Sequence, residues 1–217
     1  IWYQGESNAS DPEGYSRLLP NLIQDWRAQF RNENMPFIIA QLPNYMDVDY
    51  SPAESNWAQM REVQLETARN TSNTGLGINI DLGEWNDIHP GDKKPVGERL
   101  ALQAMEISYG ETALVSSGPI CRSHQKEGKR IILSFDNVGS GLVSGNGEDL
   151  AHFALAGADG NFRWAKAVIE ENKVVVWCDE ISDPIYLRYA WADNPDFANL
   201  YNREGLPASP FQIKADE

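Results

Sequence analysis

The loop "NDIHPGDK" sets His89 between Asp87 and Pro90 in a run rich in Gly, Pro and Asp. A histidine in such a loop has the reach and the titration range of a general base. A carboxylate beside it could orient the imidazole and stabilise its protonated form. Asp87, two positions earlier, stands close by for that role. A base needs a group to activate. "GESNA" (Gly5 to Ala9) has a superficial likeness to the G-x-S-x-G nucleophile elbow, with Ser7 at its centre. Ala9 replaces the last glycine, and "NASDPEG" does not open a helix cleanly, so Ser7 reads as a capping or loop-holding residue. Gln4 offers an amide that could donate to a developing oxyanion. Taken singly, each has a plainer role: a surface histidine in an acidic loop for His89, an ordinary loop hydrogen bond for Gln4. His124 and His152 read as solvent and packing residues.

Other chemistries fit less well. Asp81, Glu84, Asp87, His89 and Asp92 are dense in sequence but lack the ligand spacing of a hard-cation loop. Glu6 and Asp87 form a conceivable glycosidase pair. Seven Trp and eight Tyr suit a carbohydrate surface, although a core role is the default for most of them. Cys121 and Cys178 have no metal-ligand spacing; buried thiols and a disulfide are both open.

These loops need elements to position them. Tyr15, Leu18, Leu19, Leu22, Ile23, Trp26 and Phe30 follow helical spacing, which predicts a helix over 14–31, with Pro20 kinking it or marking a late start. "MPFIIAQLP" and "GLGINIDLG" read as buried strands over 35–43 and 75–83. Ser51, Pro52 and Glu54 look like a helix start with a capping box, running to about Asn70. A third helix is predicted over 94–109. This alternation implies a parallel α/β sheet. A strand stub at Ile1–Tyr3 would bring the Gln4 loop and the His89 loop to the same carboxyl edge, where such sheets bind ligands. From about Ser117 onward, short strand-like runs separated by Gly, Asn and Asp predict antiparallel β structure. The expected organisation is an α/β part over 1–115 and a β-rich domain over 116–217 packed on it.

Composition narrows the partners. With 18 Lys and Arg against 32 Asp and Glu, the net charge is −14, so nucleic acid and anionic membrane are poor partners. No apolar run is long enough to span a bilayer. Ile1 is not an initiator Met and the chain opens inside a structured stretch, so an upstream segment is expected.

"WYQGESNA", "DLGEWNDIHPGDKKPVGERLA" and "RYAWADNP" with "NLYNREGLPASPF" together resemble the sialate O-acetylesterase family of the SGNH/GDSL hydrolases. The resemblance implies a flavodoxin-like parallel sheet. It implies His89 as the catalytic histidine, Gln4 as an oxyanion-hole amide, and Gly5 and Glu6 as support for that loop. The acid would be Asp87, at D-x-H spacing; the D-x-x-H spacing of many such enzymes falls on Asn86, and a backbone carbonyl could orient His89 instead. The family's serine belongs to an earlier G-Q-S-N-type block that does not occur here. The chain then reads as the carboxyl-terminal portion of an esterase, inactive alone, with a sheet edge open to self-association. The implied substrate is an O-acetylated sugar, foremost a sialic acid, with no cofactor or metal, in a secreted or periplasmic enzyme. A non-catalytic carbohydrate-binding fragment and an acetyl-xylan or other polysaccharide esterase are the alternatives.

Overall fold

Two short apolar strands set the frame. In a computed structural model of the protein, which describes residues 1–215, β1 (Phe37–Ala40) and β2 (Thr74–Gly77) pair in parallel. Trp2 joins the other edge of β1: it bridges Ile39 in parallel, its N–H donates to the Ile38 carbonyl and its carbonyl accepts from Ala40. The strands are shorter than the sequence implied. Beyond their carboxyl ends the side-chain amides take over: Asn79 Nδ2 donates to the Gln41 carbonyl, while Gln41 and Asn44 reach Ser209 and Asn194 in the second half of the chain.

Alternation along β1 makes three layers. Phe37 and Ile39 point into the larger core with helix α1 (Pro12–Gln29) and helix α2 (Asn56–Asn70). Ile38 and Ala40 point the other way, onto Val96 and Leu100 of helix α3 (Lys93–Tyr109). The buried stripe of α1 is narrow: Tyr15, Leu19, Ile23 and Arg27 at i, i+4 spacing. Leu18 and Phe30, expected in the stripe, are exposed, and Trp26 makes edge contacts with Trp2 and Phe37. Helix α1 starts well before Pro20 and continues through it, forgoing one backbone bond.

The expected start of α2 is corrected. Ser55 is the N-cap, its hydroxyl accepting from the Ala58 N–H at 2.9 Å. Residues 51–54 stay non-helical because Glu54 makes a two-oxygen pair with Arg188, at 2.8 and 2.9 Å.

The second half is antiparallel. One sheet has the order β3 (Ile120–Glu127), β4 (Arg130–Asp136), β9 (Lys173–Trp177), β8 (Lys166–Glu170). Another runs β12 (Phe211–Lys214), β10 (Tyr186–Tyr189), β6 (Phe153–Ala156), β7 (Arg163–Trp164). A third pairs β5 (Leu142–Ser144) with β11 (Leu200–Asn202). Ile131, Leu133 and Phe135 of β4 alternate into a core that also holds Ile39, Met60 and Leu65, so one apolar cluster runs through both halves. Cys121 and Cys178 are buried free thiols. No helix among the described residues is long and apolar enough to cross a membrane.

Two predictions follow from this packing. Ser55→Ala should cost about 1–2 kcal/mol, whereas Ser51→Ala should stay within about 0.5 kcal/mol. Urea unfolding that ranks them the other way would restore the earlier helix start. His152, in left-handed backbone (φ 60), is the second case. Burial pulls its imidazole down to about 4, with Asp196 opposing. The unfolded chain takes up that proton near pH 6.5, so stability should fall as pH drops from about 6.5 to 4. His152→Phe should lose about 2 kcal/mol of this decline between pH 7 and pH 4.5; an unchanged pH dependence would contradict the assignment.

Candidate active site

Three loops leave the carboxyl ends of Trp2, β1 and β2, and so share one edge of the parallel sheet. The first carries Gln4. Its carbonyl accepts from the Tyr15 hydroxyl and from Gln64 Nε2, both at 3.1 Å. Its side-chain Nε2 donates to Asn8 Oδ1 at 2.9 Å. Gly5 is buried where a Cβ would stand 3.2 Å from Gln64 Nε2 and 3.3 Å from Leu42 Cδ1, so a larger residue would push the loop away. Glu6 and Ser7 lie in the one-turn 3-10 helix Glu6–Asn8, Glu6 half-buried and Ser7 exposed. Burial, then the Glu6 charge, pushes the Tyr3 phenol up to about 12.

Gln64 links the first loop to the second. Its Oε1 accepts from the Leu42 N–H at 3.0 Å while its Nε2 holds Gln4. Arg61, one turn earlier and fully buried, donates to the carbonyls of Leu42 and Pro43 at 2.8 and 2.7 Å. It also reaches the carbonyls of Ala192 and Asp193 at 2.7 and 2.9 Å. Burial lowers its pKa to about 9, with Asp193 opposing.

The third loop carries the histidine. Asn44 Oδ1 accepts from the Gly83 N–H at 2.6 Å, and Asn44 Nδ2 donates to Asn194 Oδ1 at 3.0 Å. A Cβ on Gly83 would lie 1.7 Å from the Asn44 carbonyl oxygen, so only glycine fits. Glu84 Oε1 closes the loop by accepting from the Gly91 N–H at 2.8 Å. Asp87 Oδ1 accepts from the backbone N–H of His89 at 2.8 Å and stands 3.9 Å from His89 Nδ1, an ion-pair but not a hydrogen-bond distance. The His89 side chain is 88% exposed. Asp81 is fully engaged: Arg99 holds both its oxygens, at 2.5 and 2.7 Å, and the Tyr201 hydroxyl donates to Oδ2 at 3.0 Å.

The structure thus brings Gln4, Gly5 and Glu6 into one loop and Asp87 and His89 into another, on the same edge. No hydrogen bond joins Gln4 to His89 among the described residues. Lys93, at the start of α3, lies 5.1 Å from the centre of the Tyr3 ring and brings the two loops' flanks together. The described residues hold no cluster of three His, Cys, Asp or Glu side chains placed to bind a metal. Sequence reasoning missed Arg61, Gln64, Asn44 and Asn194. The signal for the first two was present: polar residues at helical spacing with the buried Trp57, Met60 and Leu65.

The fold and site define an α/β protein with polar loops at the carboxyl edge of a parallel sheet. Residues 1–106 match the family of sialic acid-specific acetylesterases, a group of carbohydrate esterases. Sialate O-acetylesterase of Mus musculus is 28% identical over 97% of this chain and 43% of its own length. The Homo sapiens sialate O-acetylesterase is 26% identical over 97% of this chain and 45% of its own length. A carbohydrate acetylesterase from Xanthomonas citri has a crystal structure that superposes with a TM-score of 0.92. It is 40% identical over 99% of this chain and 50% of that one. The family match covers residues 1–106, and the similarity to these acetylesterases runs along nearly the whole chain. It spans about half the length of the relatives it matches.

Gln64→Leu should cost about 2–3 kcal/mol, because it strands the buried Leu42 N–H and frees one of two bonds to the Gln4 carbonyl. Equilibrium unfolding in urea measures this; a loss below about 0.5 kcal/mol would show that Gln64 does not hold the two loops.

Proposed function

We propose that this chain is part of a carbohydrate O-acetylesterase and supplies its general base and one oxyanion donor. The observation that carries the reading is the placement of the Gln4 amide and the His89 imidazole on loops from one carboxyl edge, within the residues that match an esterase family. An amide NH₂ has two donors. Asn8 takes one, which leaves the other for a substrate oxygen. His89 is exposed and free to meet a hydroxyl.

In this reading a serine from outside the 217 residues attacks the acetyl carbonyl while His89 takes its proton. Gln4 donates to the oxyanion of the tetrahedral intermediate. The intermediate expels the sugar oxygen, which receives the proton from His89. Water, deprotonated by His89, then attacks the acyl-enzyme carbonyl; acetate leaves and the serine regains its proton. Asp87 orients the imidazole, turning its 3.9 Å separation from Nδ1 into a hydrogen bond when His89 rotates toward substrate. Ser7 is a poor nucleophile here, being exposed on a 3-10 turn without a bond to His89 among the described residues. The family's characteristic sugar is sialic acid. The Xanthomonas citri protein, at higher identity, favours the wider class of acetylated carbohydrates.

The test is hydrolysis of an aryl acetate and of O-acetylated sugars by a protein that contains this chain together with the family's serine block. His89→Ala should lower kcat on the order of 10⁶-fold. Gln4→Ala should lower it roughly 10²–10³-fold, and Asp87→Asn up to about 10⁴-fold. The 217-residue chain alone should be inactive. Activity in that chain, abolished by Ser7→Ala, would overturn the assignment of the nucleophile.

A further inference from the structure

Exposed aromatic rings gather around one region that the esterase mechanism does not use. A cavity of about 280 Å³ is walled by Tyr50, His152, Trp164 and Phe197. Tyr50 is 90% exposed and Phe197 57%, and Trp164 is also open to solvent. Leaving such rings in water forfeits burial, so a cluster of them marks a contact surface. The rings hold one another in place. His152 stacks on Phe197 at 6.3 Å and meets Trp164 edge-on at 5.2 Å, and the Trp164 indole N–H donates to the Tyr50 carbonyl at 3.0 Å.

This cavity continues toward the histidine loop. Val48 and Tyr50 also line a second cavity of about 760 Å³, whose other walls include Glu84, Trp85 and Asn86. The shared segment is anchored on its amino-terminal side at Met46, whose N–H donates to the Trp85 carbonyl at 2.9 Å and whose carbonyl accepts from Asn194 Nδ2 at 2.7 Å, and at Tyr50, whose carbonyl accepts from Trp164. Met46 itself is held at φ 74, a strained conformation for a non-glycine residue. The loop 41–55 that carries this segment is long for a connection in a compact domain, and such loops are commonly binding loops.

The chemistry of the walls selects the ligand. The charged side chains that line the two cavities are Asp47, Asp49, Glu84 and Asp196; no Lys or Arg lines either one among the described residues. His152 adds no charge near neutral pH. A carboxylate-bearing sugar would be repelled. The rings pack on one another rather than around a common centre, which does not suit a quaternary ammonium group. A neutral pyranose fits both features: its C–H face covers an aromatic ring, and its hydroxyls donate to carboxylates.

We propose that the Tyr50–Trp164–Phe197 cavity is a subsite for a neutral pyranose ring of a glycan whose acetylated residue lies at the His89 loop. This rests on the esterase reading for the position of the acetyl group, and on the cavity alone for the sugar. The substrate is then an acetylated oligosaccharide rather than a free monosaccharide.

The 217-residue chain is titrated at millimolar concentration with xylotetraose, cellotetraose and mannotetraose, and with N-acetylneuraminic acid and choline, and indole fluorescence is read. At least one tetrasaccharide should bind, and Trp164→Ala and Phe197→Ala should each weaken it about tenfold. Phe197→Ala removes no hydrogen bond, so it serves if Trp164→Ala fails to fold. Three results would each overturn the subsite: no tetrasaccharide binds, binding is indifferent to both variants, or N-acetylneuraminic acid or choline binds instead with the same dependence. Aryl acetate hydrolysis by the longer protein separates the two claims. Its absence, with Trp164-dependent sugar binding intact, would remove the esterase reading and leave the subsite standing.

Discussion

A buried guanidinium organises this molecule. Arg61 is wholly removed from water and is met by four backbone carbonyls, two from the loop after β1 and two from the segment after β10. Desolvating a charge is costly, and carbonyl dipoles offset that cost only where all of them are in place together. The two segments are therefore not independent. The loop that follows β1 has its course set, through Arg61, by residues some 130 positions beyond that arginine.

That dependence spreads through neighbouring amides. Gln41 reaches Ser209, Asn44 reaches Asn194, and Asn202 reaches the carbonyls of Ser117 and Asn137. Asn44 then holds Gly83, and Gly83 begins the loop that ends in His89. The antiparallel half thus acts on the candidate site without supplying either of its proposed reacting groups. It also supplies the Trp164 and Phe197 walls beside that site.

Much of this was legible and some was not, for physical reasons. α1 and α3 show an apolar stripe and a clear end, Gly110 closing α3 in left-handed backbone. The β-branched runs of the second half have few other conformations open to them. The start of α2 misled because Ser51, Pro52 and Glu54 satisfy a local capping pattern, while a distant Arg188 claims the glutamate and a distant Asp193 accepts from the Ser55 hydroxyl at 2.5 Å. Gln4 and His89 stood out by residue type and loop context. Asn44 and Asn194 did not, since each is an ordinary loop asparagine until the other half of the chain meets it. Arg61 and Gln64 were visible as polar interruptions of a buried stripe, but their partners are backbone carbonyls and an N–H, which carry no sequence signature.

The central claim is that Arg61 transmits the order of the antiparallel half to the edge loops. Hydrogen exchange of Arg61→Met, resolved by residue, tests it most directly. The substitution keeps the apolar volume and leaves four carbonyls unpaired, at a cost of order 3–5 kcal/mol. The account predicts faster exchange at the amides of Leu42, Tyr45, Met46 and Gly83, whose bonds to Gln64, Asp193, Trp85 and Asn44 depend on that knot, with Ile132 in β4 still protected. Wild-type protection at those four amides, or equal loss at Ile132, would contradict it.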